Sequence, residues 1–329
     1  MSFPYYTGNP RRRHVDGPAH LPRSRRARQT DPAGYIPDAG LVDAVNVALL
    51  LGQPLLLTGE PGTGKTQLAY SLAWELGFDE PFVFETKSAS VSRDLFYIYD
   101  ALSHFRAVQT GVSGNALDFI TWNALGIAIL RSRLESDVKQ WLPSGFRHGG
   151  ARRTVVLIDE IDKAPRDFPN DLLNEVENLY FRVPELGNVR IVANEELRPI
   201  LVLTSNSEKS LPEAFLRRCV YYNIPFPNDK NLLAEIVMSR VGGIDGGHNK
   251  LLSDALDLFF ELRKPSNGLH KRPSTAELIG WITALREMGT PIDQPLKHNR
   301  ESVFKSLSVL VKNQEDQTTA RNVIEKTLN

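Results

Sequence analysis

Three stretches of the chain are apolar without alternation: Leu55-Leu56-Leu57, Thr154-Val155-Val156-Leu157-Ile158 and Ile200-Leu201-Val202-Leu203-Thr204. Short continuous runs of this kind predict strands buried on both faces, as in a parallel sheet. Phe82 to Thr86 and Val220 to Ile224 predict two more. Between these runs the apolar period becomes helical. From Asp38 as N-cap, Leu41, Val45, Ala48 and Leu49 share one face until Gly52 and Pro54 stop it. Leu68, Ala69, Leu72 and Leu76 mark a helix ending at Gly77, and Leu117, Ile120, Ala124, Leu125 and Ala128 mark another. Asp171 to Tyr180 is amphipathic through Leu172, Leu173, Val176, Leu179 and Tyr180. Strands alternating with helices predict an α/β layer structure around a parallel five-stranded sheet.

Two regions break the alternation. Residues 181–199 carry Phe181 to Glu185 and Val189 to Ala193 around Leu186-Gly187-Asn188, which predicts a hairpin. Residues 87–115 show no clean period and read as an irregular or inserted element, in which Phe96, Tyr97, Tyr99 and Phe105 are expected to pack as a satellite cluster. Pro225 and Pro227 then mark a boundary, and strand signals cease. Leu232, Leu233, Ile236 and Val237 predict one helix, and Leu251, Ala255, Leu258, Phe259 and Leu262 a second. A third begins at Ser274, with Glu277 at the capping-box position, and a fourth carries Phe304, Leu307, Leu310 and Val311. The expected division is a basic arm at 1–33, an α/β domain at 34–227, and a small all-helical domain with a C-terminal extension at 228–329.

At 329 residues, 41% hydrophobic and 24% charged, the composition is that of an ordinary globular chain with more than one domain. No run approaches a membrane span and the arginine-rich N-terminus lacks the apolar core of a secretion signal, so a cytoplasmic location is expected. The single cysteine, Cys219, excludes an internal disulfide framework and reads as a small buried residue at a strand edge. The chain is neutral overall, but residues 1–30 hold seven arginines against Asp16. With five prolines within residues 1–33 and no apolar period, this arm reads either as a solvated tail or as an electrostatic contact for nucleic acid or an acidic surface, through residues 11–28.

The chemistry concentrates after the first strand. Gly59-Glu60-Pro61-Gly62-Thr63-Gly64-Lys65-Thr66 fits a phosphate cradle followed by a helix from Gln67. Glycines let backbone N–H groups turn inward around phosphate oxygens, Lys65 supplies a point charge, and Thr66 offers a hydroxyl to Mg²⁺. The helix N-terminus adds partial positive charge. About 95 residues later the run ending at Ile158 opens directly onto Asp159-Glu160. Two carboxylates there call for a cation or an exposed sheet edge. Asp159 is read as holding hydrated Mg²⁺ and Glu160 as polarising an attacking water. Asn206, after the strand at 200–204, is from spacing alone either a turn residue or a site residue. The pair Arg217-Arg218 ends a short helix, where arginines often serve only the helix dipole.

Five stations in order, GEPGTGKT at 59–66, VVLIDEIDKAP at 155–165, TSN at 204–206, LPEAFLRRC at 211–219 and KRPSTAEL at 271–278, resemble the AAA+ ATPases. Within them the chain is most similar to the MoxR-like group with its dynein-related and McrB-like relatives. The resemblance covers about residues 34–290. It implies a P-loop AAA+ fold with a helical lid, ATP and Mg²⁺ as cofactors, and ATP hydrolysis between subunits of a homo-oligomeric, six-membered ring. It implies that Asn206 orients the lytic water and that Arg218, with Arg217 as helper, reaches the γ-phosphate of a neighbour. Arg272 or Lys271 would sense nucleotide from the lid, and the hairpin would lie near a pore. The work implied is remodelling of a protein client, commonly a von Willebrand factor A protein. The alternative it allows is a nucleic-acid-binding McrB-like NTPase or defence-type sensor using the arginine arm. Two departures stand out: Asp162 occupies a position where many MoxR-like chains have Asn, and Arg272 precedes Pro-Ser where the lid arginine often follows Ser-Pro.

Overall fold

The computed structural model describes residues 30–111, 114–207, 211–244 and 249–328; the arginines at 11–28 lie outside the described residues. The strands in chain order are β1 (Leu55–Gly59), β2 (Phe82–Glu85), β3 (Tyr97–Tyr99), β4 (Ile120–Trp122), β5 (Val155–Asp159), β6 (Tyr180–Val183), β7 (Val189–Val192), β8 (Ile200–Thr204) and β9 (Val220–Ile224). Five of them form one parallel sheet in the order β2-β5-β8-β1-β9. The three continuous runs and the two further segments supply its strands, and Leu56, Leu57, Val155 to Ile158, Val202 and Leu203 are wholly buried. Because all five strands point the same way, the carboxyl ends of β1, β5 and β8 share one edge.

The flanking helices start and stop where local chemistry directs. Asp38 caps Ala39–Leu51 by accepting from the Leu41 N–H, and Gly52 ends it in the left-handed conformation. Lys65–Glu75 begins directly from the glycine-rich turn, with Leu68, Ala69, Leu72 and Ala73 buried.

Several sequence expectations are corrected. The helix expected from Leu117 to Ala128 is three elements: a 3₁₀ turn at Ala116–Phe119, strand β4, and a helix at Ala124–Arg131. Asn115 and Asn123 each accept from a backbone N–H two and one residues on, which restarts the chain direction twice. Strand β4 pairs antiparallel with β3, so the described residues of 87–115 are not irregular, and they include a helix at Ala101–Gln109. Phe96 and Tyr97 pack with Trp122 and Phe181, the Phe96 and Phe181 rings stacking at 5.1 Å. Phe105 does not join them. His104 takes the inward side of its helix, stacked on Phe119, and leaves Phe105 59% exposed. The helix expected over 171–180 divides into Phe168–Asp171 and Leu173–Asn178, with Leu179 at positive φ turning the chain into β6. The hairpin is present as β6 and β7. Cys219 is half-buried just before β9, and burial pushes its thiol pKa up to about 12.

Residues 37–225 form one compact unit; the mainly helical described residues of 226–328, together with 30–36, form the other. The second unit contains Lys230–Arg240, Lys250–Arg263, Thr275–Glu287, Arg300–Leu310 and Gln314–Thr327 around Leu258, Phe259, Trp281, Ile282 and Leu307. The Ser274 and Glu277 capping box is formed as the sequence anticipates. The last helix has no counterpart among the sequence expectations. Among the described residues no helix is long and apolar enough to cross a membrane.

That last helix is tied down by a buried carboxylate. Asp316 accepts from the N–H groups of His270 (2.8 Å) and Lys271 (2.9 Å) and from the Asn313 amide (2.5 Å). Burial opposes its ionisation, but the bonds from Lys271, His270 and Asn313 outweigh burial and hold its pKa at about 2. A depressed carboxyl pKa stabilises the fold above the unfolded value, near about 4, and that contribution is lost as pH falls through about 2. Asp316→Asn is therefore expected to lower the urea midpoint at pH 7, with the gap from wild type closing between about pH 4 and about pH 2. Equal midpoints at pH 7 would remove Asp316 as an anchor.

Candidate functional site

The site is built where β1, β5 and β8 end. Gly59 closes β1 at φ 140°, and a Cβ there would lie 2.6 Å from the Ile224 carbonyl oxygen. No other residue type fits this approach. Gly62 (φ 80°) and Gly64 (φ 91°) continue the turn, which releases the chain into the helix from Lys65. Glu60, Pro61 and Thr63 complete it, the Thr63 hydroxyl donating to the Glu60 carbonyl at 2.9 Å. Lys65 is buried, and its ammonium donates to the carbonyls of Gly59 (2.9 Å) and Glu60 (3.1 Å). Burial pulls the Lys65 pKa down, while Asp162, Asp159 and Glu160 push it back up. Gln67 lies in the first turn of the helix, its side-chain oxygen buried and without a hydrogen-bond partner among the described residues.

Thr66 and Asp159 meet directly. The Thr66 hydroxyl donates to Asp159 Oδ1 at 3.0 Å and lies 3.3 Å from Oδ2. Among the described residues no cluster of three or more His, Cys, Asp or Glu could hold a metal unaided. This hydroxyl and carboxylate are nonetheless an oxygen pair suited to Mg²⁺, a hard ion that keeps most of its shell for phosphate and water. Glu160 follows in the left-handed conformation, φ 55° and ψ 50°, with its carboxylate paired to Lys163. The strain is an observed outlier of the sort that gathers at functional sites.

Of the remaining candidates, Asn206 is exposed beyond β8, and its N–H donates to Asp162 Oδ1 at 3.2 Å. Arg217 pairs with Glu213. Arg218 donates through Nε to Glu177 at 2.8 Å and through a terminal nitrogen to the Ala214 carbonyl at 3.0 Å. Both arginines precede β9, at the amino end of the sheet, because Val220 pairs with Leu55 and its N–H donates to the Pro54 carbonyl. Five strand residues separate that end from the cradle, about 16 Å. The structure thus joins Lys65, Thr66, Asp159 and Glu160 at one edge and sets Arg217 and Arg218 at the other. Arg272 and Lys271 are exposed in the helical unit.

Sequence reasoning missed Thr204. Its buried hydroxyl donates to Asp159 Oδ1 at 2.5 Å and accepts from the Glu160 N–H at 2.8 Å. The TSN motif drew attention to Asn206 two residues later; a polar residue ending a buried run was the available signal.

A family model for the AAA domain of the dynein-related subfamily matches residues 54–219, just over half of the chain. The chain belongs to this family. RuvB-like 2 of Caenorhabditis elegans is 43% identical over 58 residues, which span 17% of this chain and 13% of that protein's length. Among solved structures, the Thermotoga maritima RuvB Holliday junction branch migration motor is similar at 15% identity and a TM-score of 0.39, over 87% of this chain and 67% of that one. NtrX from Brucella abortus, in complex with ADP, is similar at 15% identity and a TM-score of 0.48, over 92% and 63%.

Gly59→Ala tests the cradle's geometry against Gly77→Ala. Gly77 is also left-handed, but a Cβ there meets nothing within 4 Å. Gly59→Ala is expected to destabilise by more than about 1 kcal/mol and to exceed Gly77→Ala in thermal unfolding. The reverse order would show that the Ile224 approach is not a constraint.

Proposed function

We propose that this chain is a MoxR-like ATP phosphohydrolase, Mg²⁺-dependent, that works between copies in a six-membered ring and uses turnover to remodel or mature a protein client. The observation that carries the reading is the convergence of Lys65, Thr66, Asp159 and Glu160 at one edge of the parallel sheet. In this reading the turn from Gly59 to Thr66, followed by Gln67, wraps the phosphates with backbone N–H groups and the Lys65 ammonium. Thr66 and Asp159 would hold Mg²⁺, which when bound draws charge from the phosphate oxygens. Glu160 orients a water and takes its proton as the water oxygen attacks the γ-phosphorus. The bond to the β-phosphate oxygen breaks, leaving ADP and inorganic phosphate. For this, Glu160 must leave Lys163, an exposed pair whose separation costs little.

Arg218 supports the assignment of the other half-site to a neighbour. Lying at the amino end of the sheet, it cannot touch a phosphate in its own chain's cradle, whereas a head-to-tail copy could present it. Asn206, held by Asp162, is assigned to the attacking water, and Arg217 to supporting Arg218. Residues 228–329 are assigned as the helical lid domain and a C-terminal extension, with Arg272 or Lys271 reporting on the nucleotide. A von Willebrand factor A protein is the client class we expect.

Lys65→Ala is expected to abolish ATP binding. Glu160→Gln should retain binding but lose turnover by about 10²-fold or more; an unchanged rate would remove Glu160 as the base. Mixing Arg218→Ala with Lys65→Ala subunits should recover activity that neither has alone, since one interface type then joins an intact cradle to an intact arginine. Mixed assemblies that form but stay inactive would reject action across the interface.

A further inference from the structure

We infer that Thr204 is a positioning residue for this site, holding Asp159 and Glu160 in register through a single hydroxyl. The inference deepens the ATPase reading and rests on it for its effect on turnover. Strand β8 lies between β1 and β5, with Thr204 opposite Leu57 and the next N–H, from Ser205, donating to the Leu57 carbonyl at 2.9 Å. The last side chain of β8 therefore stands between the cradle strand and the acidic strand.

A hydroxyl has one proton to give and lone pairs to receive. Thr204 gives its proton to Asp159 Oδ1 and receives the Glu160 N–H. Two consequences follow for the acidic pair. Asp159 Oδ1 takes hydroxyls from both Thr204 and Thr66, so the carboxylate has one rotation and its Oδ2, 3.3 Å from Thr66, is the less engaged oxygen. Glu160 occupies a left-handed turn that a non-glycine residue takes at a cost, and the bond from its N–H to Thr204 offsets that cost at the atom next to the strain. Without the hydroxyl, Asp159 keeps only Thr66 as a side-chain partner and the turn that aims Glu160 loses the acceptor of its N–H.

The test uses the full chain and two near-isosteres. Thr204→Val keeps the branched shape favoured in a strand and removes the hydroxyl; Thr204→Ser keeps the hydroxyl and removes the methyl. In Thr204→Val we expect kcat to fall at least about tenfold with the KM for ATP within about threefold, and the Mg²⁺ concentration for half-maximal binding of a fluorescent ATP analogue to rise. Hydrogen exchange at the Glu160 amide should quicken in the nucleotide-free protein. Thr204→Ser should stay near wild type in all three. Wild-type kcat and Mg²⁺ dependence in Thr204→Val would overturn the inference. So would a Thr204→Ser variant as impaired as Thr204→Val, since packing of the methyl would then be the cause. If Thr204→Val does not fold, Thr204→Ala replaces it, and equal behaviour of Ala and Ser overturns the proposal. Should the wild type show no turnover, the ATPase reading fails by itself, while amide exchange and Mg²⁺-dependent binding still decide the role of Thr204.

Discussion

Asp159 ends a strand whose other four residues are wholly buried, and hydroxyls from Thr66 and Thr204 both donate to its carboxylate, which is half-buried at the sheet's carboxyl edge. The two hydroxyls come from different parts of the chain, one beginning the helix behind the cradle and the other ending β8. They reach the same carboxylate because the sheet is parallel and places β8 between β1 and β5. Strand order, cradle conformation and acidic turn are thus parts of one arrangement, and the buried Lys65 ammonium balances its charge.

The parts of this arrangement that the sequence announces are those under a local constraint. Strands buried on both faces must be apolar at every position, so β5 and β8 appear as uninterrupted runs. Gly59, Gly62 and Gly64 appear because their φ values exclude other residues. Asp38, Ser274 and Glu277 appear because capping is decided within four residues. The parts it conceals depend on distant partners. Thr204 looks like any strand-ending threonine until the strand order sets it against Asp159, 45 positions away. Asp316 looks like one acid in a polar segment until His270 and Lys271 reach it. Strands β3 and β4 are three residues each, too short for a period to register, and the helical spacing drawn through Ile120 is an accident of residues that alternate inward in β4.

Each unit is closed by a carboxylate that draws together distant parts of the chain. In the α/β unit that group is Asp159. In the helical unit it is Asp316, which joins the segment before Thr275–Glu287 to the first turn of the final helix. A buried anion such as Asp316 fixes geometry more sharply than apolar packing does, because its bonds have direction and its desolvation penalty is paid in full if one is missing.

The left-handed turn at Glu160 sets stability and chemistry against each other. Glycine or asparagine would occupy φ 55° more comfortably than glutamate. A selection for thermal stability alone, carried out on a library at this position, would drift toward those residues and discard the carboxylate. Sequences recovered in that way would be better folded but would lack the carboxylate on which the proposed hydrolysis depends, so any effort to harden this scaffold has to hold position 160 fixed and seek its gains elsewhere.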